Sequence, residues 1–209
     1  MDLQVAIDRY TFEQLSEYLI TFDGKVDIIE VGTSFVKDYG LEKLATLRKL
    51  VKKSQLLIDI KTIDEGAYEF KKGFEAGADI LTVMASASVD TIRACYEVSK
   101  QFQKTMLIDL LEVNDKKIEQ LKEFDQAIFC IHYSVDSTQI VDASEEVIGY
   151  RKKFPWMKRL AIAGGMDLMQ AKNLSKQQLV DIIIVGSKIT KSTDSEKMLS
   201  RFMEEIKND

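Results

Sequence analysis

Short apolar runs alternate with helical patterns eight times along the 209 residues of this chain, and this rhythm constrains the fold more than any other feature. The runs recur about every 26 residues, which accommodates one strand, one helix and two loops, the repeat of a parallel βαβ sheet. The candidate strands are residues 3–7, 26–31, 55–60, 79–84, 105–110, 126–131, 159–163 and 181–185. We therefore expect the α/β class and a single (β/α)8 TIM barrel domain over residues 1–209.

The segments between the runs carry apolar residues at the three-to-four spacing of one helix face, as in residues 12–19, 44–51 and 118–121. An open doubly wound sheet is the alternative architecture. That fold usually places a glycine-rich turn after its first strand, whereas Ile7-Asp8-Arg9-Tyr10 contains no G-x-G-x-x-G. The sequence therefore favours the closed barrel.

The charge balance excludes several classes of partner. The chain has 29 basic and 34 acidic residues and a net charge of -5, so it has no basic excess for nucleic acid or an anionic membrane. No apolar run approaches the roughly 20 residues that span a bilayer, and the amino terminus lacks a secretory pattern, so we expect a cytoplasmic protein. Cys95 and Cys130 lie in apolar segments without metal-ligand spacing, which predicts reduced core thiols.

The run Asp59 to Asp64 has the pattern D-x-K-x-x-D, at the end of the third candidate strand. If the strand continues to Lys61, its period of two places Asp59 and Lys61 on one face, and Asp64 lies beyond the carboxyl end. Two carboxylates beside an ammonium can keep Lys61 protonated, bind a divalent cation, and move a proton at carbon beside a carbonyl. A surface ion pair is the plainer interpretation of the same triplet.

Polar residues also end the other strands, and in a barrel all of these ends meet at one mouth. The residues at these ends are Asp8, Glu30 with Gly32 and Thr33, Asp59 with Lys61, Asp109 and His132. Four converging carboxylates with one lysine imply a metal ion, a network of shared protons, or both. Glu30 and Asp59 are the metal candidates, and Mg2+ suits a set of oxygen ligands, whereas zinc prefers nitrogen or sulfur. His132 is either an acid/base catalyst or a hydrogen-bonded core residue.

The last two strands end in glycine rather than in charge. The joints are Ala163-Gly164-Gly165 and Val185-Gly186-Ser187. Glycine lets an anion approach main-chain N–H groups, and a following helix amino terminus favours negative charge. Because many barrels bind phosphate after strands seven and eight, these joints predict a phosphate site.

With these residues assembled, the chain resembles the orotidine 5'-monophosphate decarboxylase suprafamily, whose members are ribulose-phosphate-binding barrels. Within it, the chain resembles the 3-hexulose-6-phosphate synthase and 3-keto-L-gulonate-6-phosphate decarboxylase group. The segments that carry the resemblance are L-Q-V-A-I-D at 3–8, V-D-I-I-E-V-G-T at 26–33 and the run at 59–64. Orotidine-phosphate decarboxylases have lysine where this chain has Glu30, which argues against a nucleotide substrate.

The resemblance implies a homodimer, a phosphorylated pentulose or hexulose substrate, and an enediolate intermediate stabilised by Mg2+ on Glu30 and Asp59. It implies that Asp64 reaches the neighbouring subunit's site, that Lys61 contacts substrate oxygens, and that His132 shuttles protons. It implies a substrate-binding set of Asp8, Asp109, Gly164, Gly165, Gly186 and Ser187.

Three positions within the group disfavour the decarboxylase, which tends to have Glu, Arg and Arg where this chain has Asp109, Val135 and Ser187. Tyr133-Ser134 disfavours the synthase, since synthases tend to have Thr-Gly at these two positions. The leading hypothesis is a Mg2+-dependent aldehyde-lyase that joins formaldehyde to D-ribulose 5-phosphate. The alternatives are a 3-keto-L-gulonate-6-phosphate decarboxylase and a non-catalytic barrel that binds a sugar phosphate.

Overall fold

The computed structural model describes residues 1–133 and 143–207, and its strands form a closed parallel barrel. The strands are β1 Asp2–Ile7, β2 Ile28–Val31, β3 Gln55–Thr62, β4 Ile80–Met84, β5 Thr105–Asp109, β6 Ile128–His132, β7 Arg159–Ala163 and β8 Ile182–Val185. Each strand pairs with the next along the chain, and β8 closes the ring on β1 with Asp2 beside Ile182. The predicted (β/α)8 barrel is confirmed, and the open sheet is excluded.

The strands are buried on both faces, which explains why their sequences are continuous hydrophobic runs. One side of each strand packs against the surrounding helices in the larger buried cluster. The other side fills the barrel interior with Ile28, Leu57, Ile80, Leu107, Ile128, Cys130, Ala161, Ala163 and Ile182. This filled interior supports a mouth at the carboxyl ends of the strands, where the polar side chains gather.

The helices follow the strands as the alternation predicts. They are α1 Phe12–Phe22, α2 Thr33–Leu44, α3 Gly66–Glu75, α4 Val89–Phe102, α5 Asp115–Glu119, α6 Ala143–Lys153, α7 Leu168–Gln177, α8 Ser187–Thr190 and α9 Ser195–Lys207. Side chains cap several amino termini, for example Thr11 before α1 and Ser88 before α4. These caps satisfy main-chain N–H groups that have no partner within the helix.

Two of the predicted helical stripes have a different form in the structure. Residues 44–51 do not form an α-helix, because α2 ends at Leu44 and a 3-10 helix spans Ala45–Leu50. The three-residue step from Leu44 to Leu47 fits the 3-10 repeat, so both side chains still reach the core. The apolar stripe at 118–121 extends beyond its helix, since α5 ends at Glu119.

Strand β3 departs from the regular alternation that the sequence predicted. It pairs with β4 at Ile58 with Leu81 and next at Thr62 with Val83, so residues 59–61 face only Thr82. Lys61 has a φ of 47°, in the left-handed region. Asp59 and Lys61 nevertheless lie on one face, as predicted, but a bulge replaces the regular period of two between them.

Both cysteines are buried free thiols, as predicted, and burial raises the pKa of Cys95 to about 12. Within residues 1–133 and 143–207, no helix is both long and apolar enough to cross a bilayer.

Candidate active site

Lys61 lies at the centre of the charged groups at the barrel mouth. Its Nζ is 2.8 Å from Asp59 Oδ2 and 3.1 Å from Asp109 Oδ2. Burial alone would lower the pKa of Lys61, but the charges of Asp59 and Asp109 outweigh it and raise the pKa above its ordinary value. Lys61 is therefore an ammonium that donates hydrogen bonds and cannot accept a proton.

Asp109 also contacts His132, whose Nδ1 lies 2.8 Å from Asp109 Oδ2. Burial tends to raise the pKa of Asp109, but the hydrogen bond with His132 and the charge of Lys61 bring it below its ordinary value. An ionised carboxylate only accepts hydrogen bonds, so His132 Nδ1 carries the hydrogen. In the neutral ring, Nε2 then holds the free lone pair, which makes His132 a competent base.

Asp59 is held by hydroxyl groups as well as by Lys61. Its Oδ2 accepts a hydrogen bond from Thr33 Oγ1 at 2.6 Å, and its Oδ1 accepts one from Thr82 Oγ1 at 2.7 Å. Thr33 was expected at the mouth from its place after β2, but its bond to Asp59 was not, and Thr82 was not predicted as a functional residue. The available signal for Thr82 was a polar residue inside the apolar run 79–84, in step with the inward-facing Ile80.

Glu30 is buried in β2 beside Asp59. Burial and the charge of Asp59 raise the pKa of Glu30 from an ordinary value of 4.5 to about 8. Gln4 Nε2 donates a 2.6 Å hydrogen bond to Glu30 Oε2, while the buried Gln4 Oε1 has no hydrogen-bond partner among the residues described. Gln4 was also missed, although its alternation with Ala6 and Asp8 along β1 was a usable signal.

Asp8 completes the carboxylates of the mouth. Burial and the charge of Asp59 raise its pKa, although a 3.0 Å hydrogen bond from Ser34 Oγ opposes the change. A Cβ on Gly32 would lie 2.1 Å from Asp8 Oδ1, so only glycine leaves room for this carboxylate.

These groups carry more negative than positive charge. Asp8, Glu30, Asp59 and Asp109 interact with a single lysine, and the charge of Asp59 makes ionisation of Glu30 and Asp8 more costly. No group of three or more His, Cys, Asp or Glu side chains in the described ranges is arranged to hold a metal ion. Two carboxylates nevertheless fit Mg2+, which keeps water and substrate oxygens as its other ligands.

The structure does not bring Asp64 into this array. Asp64 is exposed beyond the end of β3, where its Oδ1 accepts a 2.8 Å hydrogen bond from the Glu65 amide. Ile63 and Tyr68 beside it are also exposed, at 55% and 61%.

The two glycine joints differ in their helix caps. Asp167 caps α7 with its own carboxylate, whereas no side chain caps α8 at Gly186. Gly164 has a φ of +117°, and a Cβ there would lie 2.7 Å from Tyr133 Cβ. The joint at Gly186 and Ser187 is thus the more open to an anion. Val135 and Ser134, which entered the comparison within the group, lie outside the described residues.

Comparison with known proteins links this geometry to one family. The profile of the orotidine 5'-phosphate decarboxylase / HUMPS family matches residues 1–202. A protein of Bacillus subtilis named 3-hexulose-6-phosphate synthase is 31% identical over 209 residues, covering 99% of each chain.

Among solved structures, 3-hexulose-6-phosphate synthase from Salmonella typhimurium superposes with a TM-score of 0.89 at 28% identity. The match covers 99% of this chain and 98% of the other. KGPDC from Streptococcus mutans gives a TM-score of 0.87 at 23% identity over 99% and 97% of the two chains. This second similarity establishes a shared fold.

Proposed function

Because the chain belongs to the orotidine 5'-phosphate decarboxylase / HUMPS family, we propose that it is a Mg2+-dependent aldehyde-lyase of the 3-hexulose-6-phosphate synthase type. It joins formaldehyde to D-ribulose 5-phosphate and catalyses the reverse cleavage. The observation that carries the proposal is the shared carboxylate of Asp109, which contacts both the Lys61 ammonium and the His132 imidazole. One group stabilises negative charge and the other accepts a proton, as the reaction requires.

The proposed reaction begins when His132 Nε2 accepts a proton from C1 of the pentulose phosphate. The electrons of the broken C–H bond move toward the C2 carbonyl oxygen, where the Lys61 ammonium stabilises the negative charge. The C2 carbonyl re-forms as C1 bonds to the carbon of formaldehyde, and the former aldehyde oxygen takes the proton from the His132 imidazolium to become a hydroxyl. Asp109 stabilises the imidazolium that forms in the first step and keeps the ring oriented.

Glu30 and Asp59 are the residues that would hold Mg2+. The bound ion would act as a Lewis acid toward the substrate oxygens. The raised pKa of Glu30 supports this assignment, because two adjacent buried carboxylates are costly without a cation. Asp8 would contact the sugar hydroxyl groups, and the joints at Gly164, Gly165, Gly186 and Ser187 would bind the phosphate.

The second candidate is 3-keto-L-gulonate-6-phosphate decarboxylase, since the same array stabilises an enediolate left by loss of carbon dioxide. This chain shares its fold with KGPDC from Streptococcus mutans, which supports the decarboxylase as the second candidate. Asp109 and Ser187 favour the synthase, as the sequence comparison within the group indicated. A non-catalytic barrel is disfavoured, because an unused array of buried charge would destabilise the fold.

We extend the proposal to a homodimer in which Asp64 enters the neighbouring subunit's site. The support is its exposure, together with that of Ile63 and Tyr68 around it. An exposed acid between two exposed apolar side chains suits an interface between subunits.

A paired assay tests the assignment. Purified protein with Mg2+ is given formaldehyde and D-ribulose 5-phosphate in one reaction, and 3-keto-L-gulonate 6-phosphate in the other. We expect formaldehyde consumption that depends on the pentulose phosphate. Dominant release of carbon dioxide from the second substrate would transfer the assignment to the decarboxylase, and binding without turnover of either would leave the non-catalytic barrel.

A further inference from the structure

The bulge in β3 creates a structural problem at Lys61. Between the pairs Ile58–Leu81 and Thr62–Val83, residues 59–61 have no partner of their own in β4. The backbone of Lys61 is left-handed, with a φ of 47°, which disfavours any residue other than glycine. A strained residue persists only where its surroundings fix it, so some group must hold this backbone.

Thr82 is the β4 residue that faces the bulge, and its hydroxyl makes two hydrogen bonds there. Its Oγ1 accepts a hydrogen bond from the Lys61 amide nitrogen, 2.9 Å away, and donates one to Asp59 Oδ1, 2.7 Å away. The side chain is 3% exposed, so water does not compete for either bond. A hydroxyl has one hydrogen to donate and lone pairs to accept with, so both bonds form at once.

We propose that Thr82 is a positioning residue, whose hydroxyl fixes the bulge that presents Lys61 and Asp59 to the substrate. The Thr82 hydroxyl replaces the main-chain hydrogen bond that β4 does not provide to Lys61. It also links the Lys61 backbone to the Asp59 carboxylate. Thr33 also donates to Asp59, but it leaves the Lys61 backbone untouched. Thr82 therefore contacts both charged residues and acts through them.

The test compares Thr82→Val, which keeps the branched shape and removes the hydroxyl, with Thr82→Ser, which keeps the hydroxyl. Ser54→Ala is the matched control, because the Ser54 hydroxyl likewise accepts from one main-chain N–H and donates to one carbonyl. Ser54 lies just before β3, at the opposite end of the barrel. We expect kcat to fall about 100-fold in Thr82→Val, the cost of a misplaced catalytic group. Thr82→Ser and Ser54→Ala should retain turnover.

The second readout is hydrogen exchange at the Lys61 amide, followed by NMR. In the wild-type protein we expect this amide to be protected, and in Thr82→Val we expect the protection to be lost while Thr82→Ser keeps it. An unprotected Lys61 amide in the wild-type protein would overturn the inference even if Thr82→Val does not fold. Unchanged kcat and unchanged protection in folded Thr82→Val would also overturn it.

The role of Thr82 in catalysis rests on the proposed function. The two measurements distinguish a failure of this inference from a failure of the proposed function. A wild-type protein without turnover would defeat the proposed function. The exchange rate of the Lys61 amide would still decide whether the Thr82 hydroxyl holds the bulge.

Discussion

At the residue level, ionisation of Glu30 is unfavourable, and a bound cation would relieve that cost. Glu30 is buried beside Asp59, and its pKa is raised to about 8. Between its ordinary value of 4.5 and about 8, the folded protein binds this proton more tightly than the unfolded chain does. Glu30 therefore contributes stability below that window, and the contribution is lost as the pH rises through it.

Glu30→Gln should consequently stabilise the metal-free protein at high pH. The amide cannot ionise, so we expect Tm at pH 9 to exceed that of the wild-type protein and the difference to shrink toward pH 5. Thermal unfolding in the presence of a chelator measures both. Glu119→Gln, on an exposed position of α5, is the control. An equal Tm for Glu30→Gln and wild type at pH 9 would contradict the assignment of a costly buried charge.

If Glu30 holds the proposed metal ion, Gln4 should tune the affinity for that ion through its 2.6 Å hydrogen bond to Glu30. We expect Gln4→Leu to weaken Mn2+ binding, measured by titration calorimetry, by about tenfold, a typical effect of removing a group that orients a ligand. Loss of the buried amide oxygen, which has no partner among the described residues, should offset part of the stability lost when Glu30 Oε2 loses its donor. Gln126→Leu on the surface should change nothing. Unaltered Mn2+ affinity in Gln4→Leu would rule out this role.

The charged residues of the site were predictable because they interrupt or end apolar runs. Thr33 was placed at the mouth by its position after β2, but its bond to Asp59 was not predictable. Gln4 and Thr82 were not predicted, since an amide or a hydroxyl within a strand has no distinctive pattern until its partner is known. Their partners lie 26 residues away, as for Gln4 with Glu30 and Thr33 with Asp59, or 23 away, as for Thr82 with Asp59. A single sequence does not reveal such pairs.

At the scale of elements, the strands were predictable from local composition, but the geometry at their ends was not. Predicted and observed strands agree within a few residues, because each must be apolar on both faces. The bulge in β3 depends on the register against β4, which is a property of two segments together. Likewise, the 3-10 helix at Ala45–Leu50 shares its apolar spacing with an α-helix, so periodicity alone did not separate them.

The joint after β7 gives a prediction about phosphate binding. In Gly164→Ala the new Cβ meets Tyr133 and the φ of +117° becomes strained, so we expect a loss of about 1–3 kcal/mol of stability. We also expect KM for the pentulose phosphate to rise more than kcat falls, since we propose that this joint binds the phosphate. Gly149→Ala in α6 has open space and should gain about 0.4–1 kcal/mol. Equal KM values in the two variants would remove this joint from the phosphate site.

At the scale of the whole molecule, the array in one chain lacks Asp64, which is exposed to the outside of the barrel mouth. The sequence placed Asp64 beyond the strand, and the structure agrees, but the role across an interface remains a proposal. If Asp64 serves the neighbouring subunit, each active site contains groups from two chains. The site would then be complete only in a dimer.

Mixing two inactive variants tests this arrangement. In a mixed dimer of Lys61→Ala with Asp64→Ala, one site has both alanines and the other has both original side chains. We expect activity to return when the variants are unfolded and refolded together, and sedimentation to show a dimer. Recovery should be absent from each variant refolded alone. A fully active monomer would refute the shared site.

In the proposed mechanism, Lys61, Asp109 and His132 generate a carbon nucleophile at C1 of a pentulose phosphate. The most direct measurement is proton NMR of D-ribulose 5-phosphate in D2O with the protein and Mg2+, in the absence of formaldehyde. We expect one C1 hydrogen to exchange for deuterium with the wild-type protein, and the exchange to disappear in Lys61→Ala. Binding of the sugar phosphate without any exchange at C1 would contradict the claim.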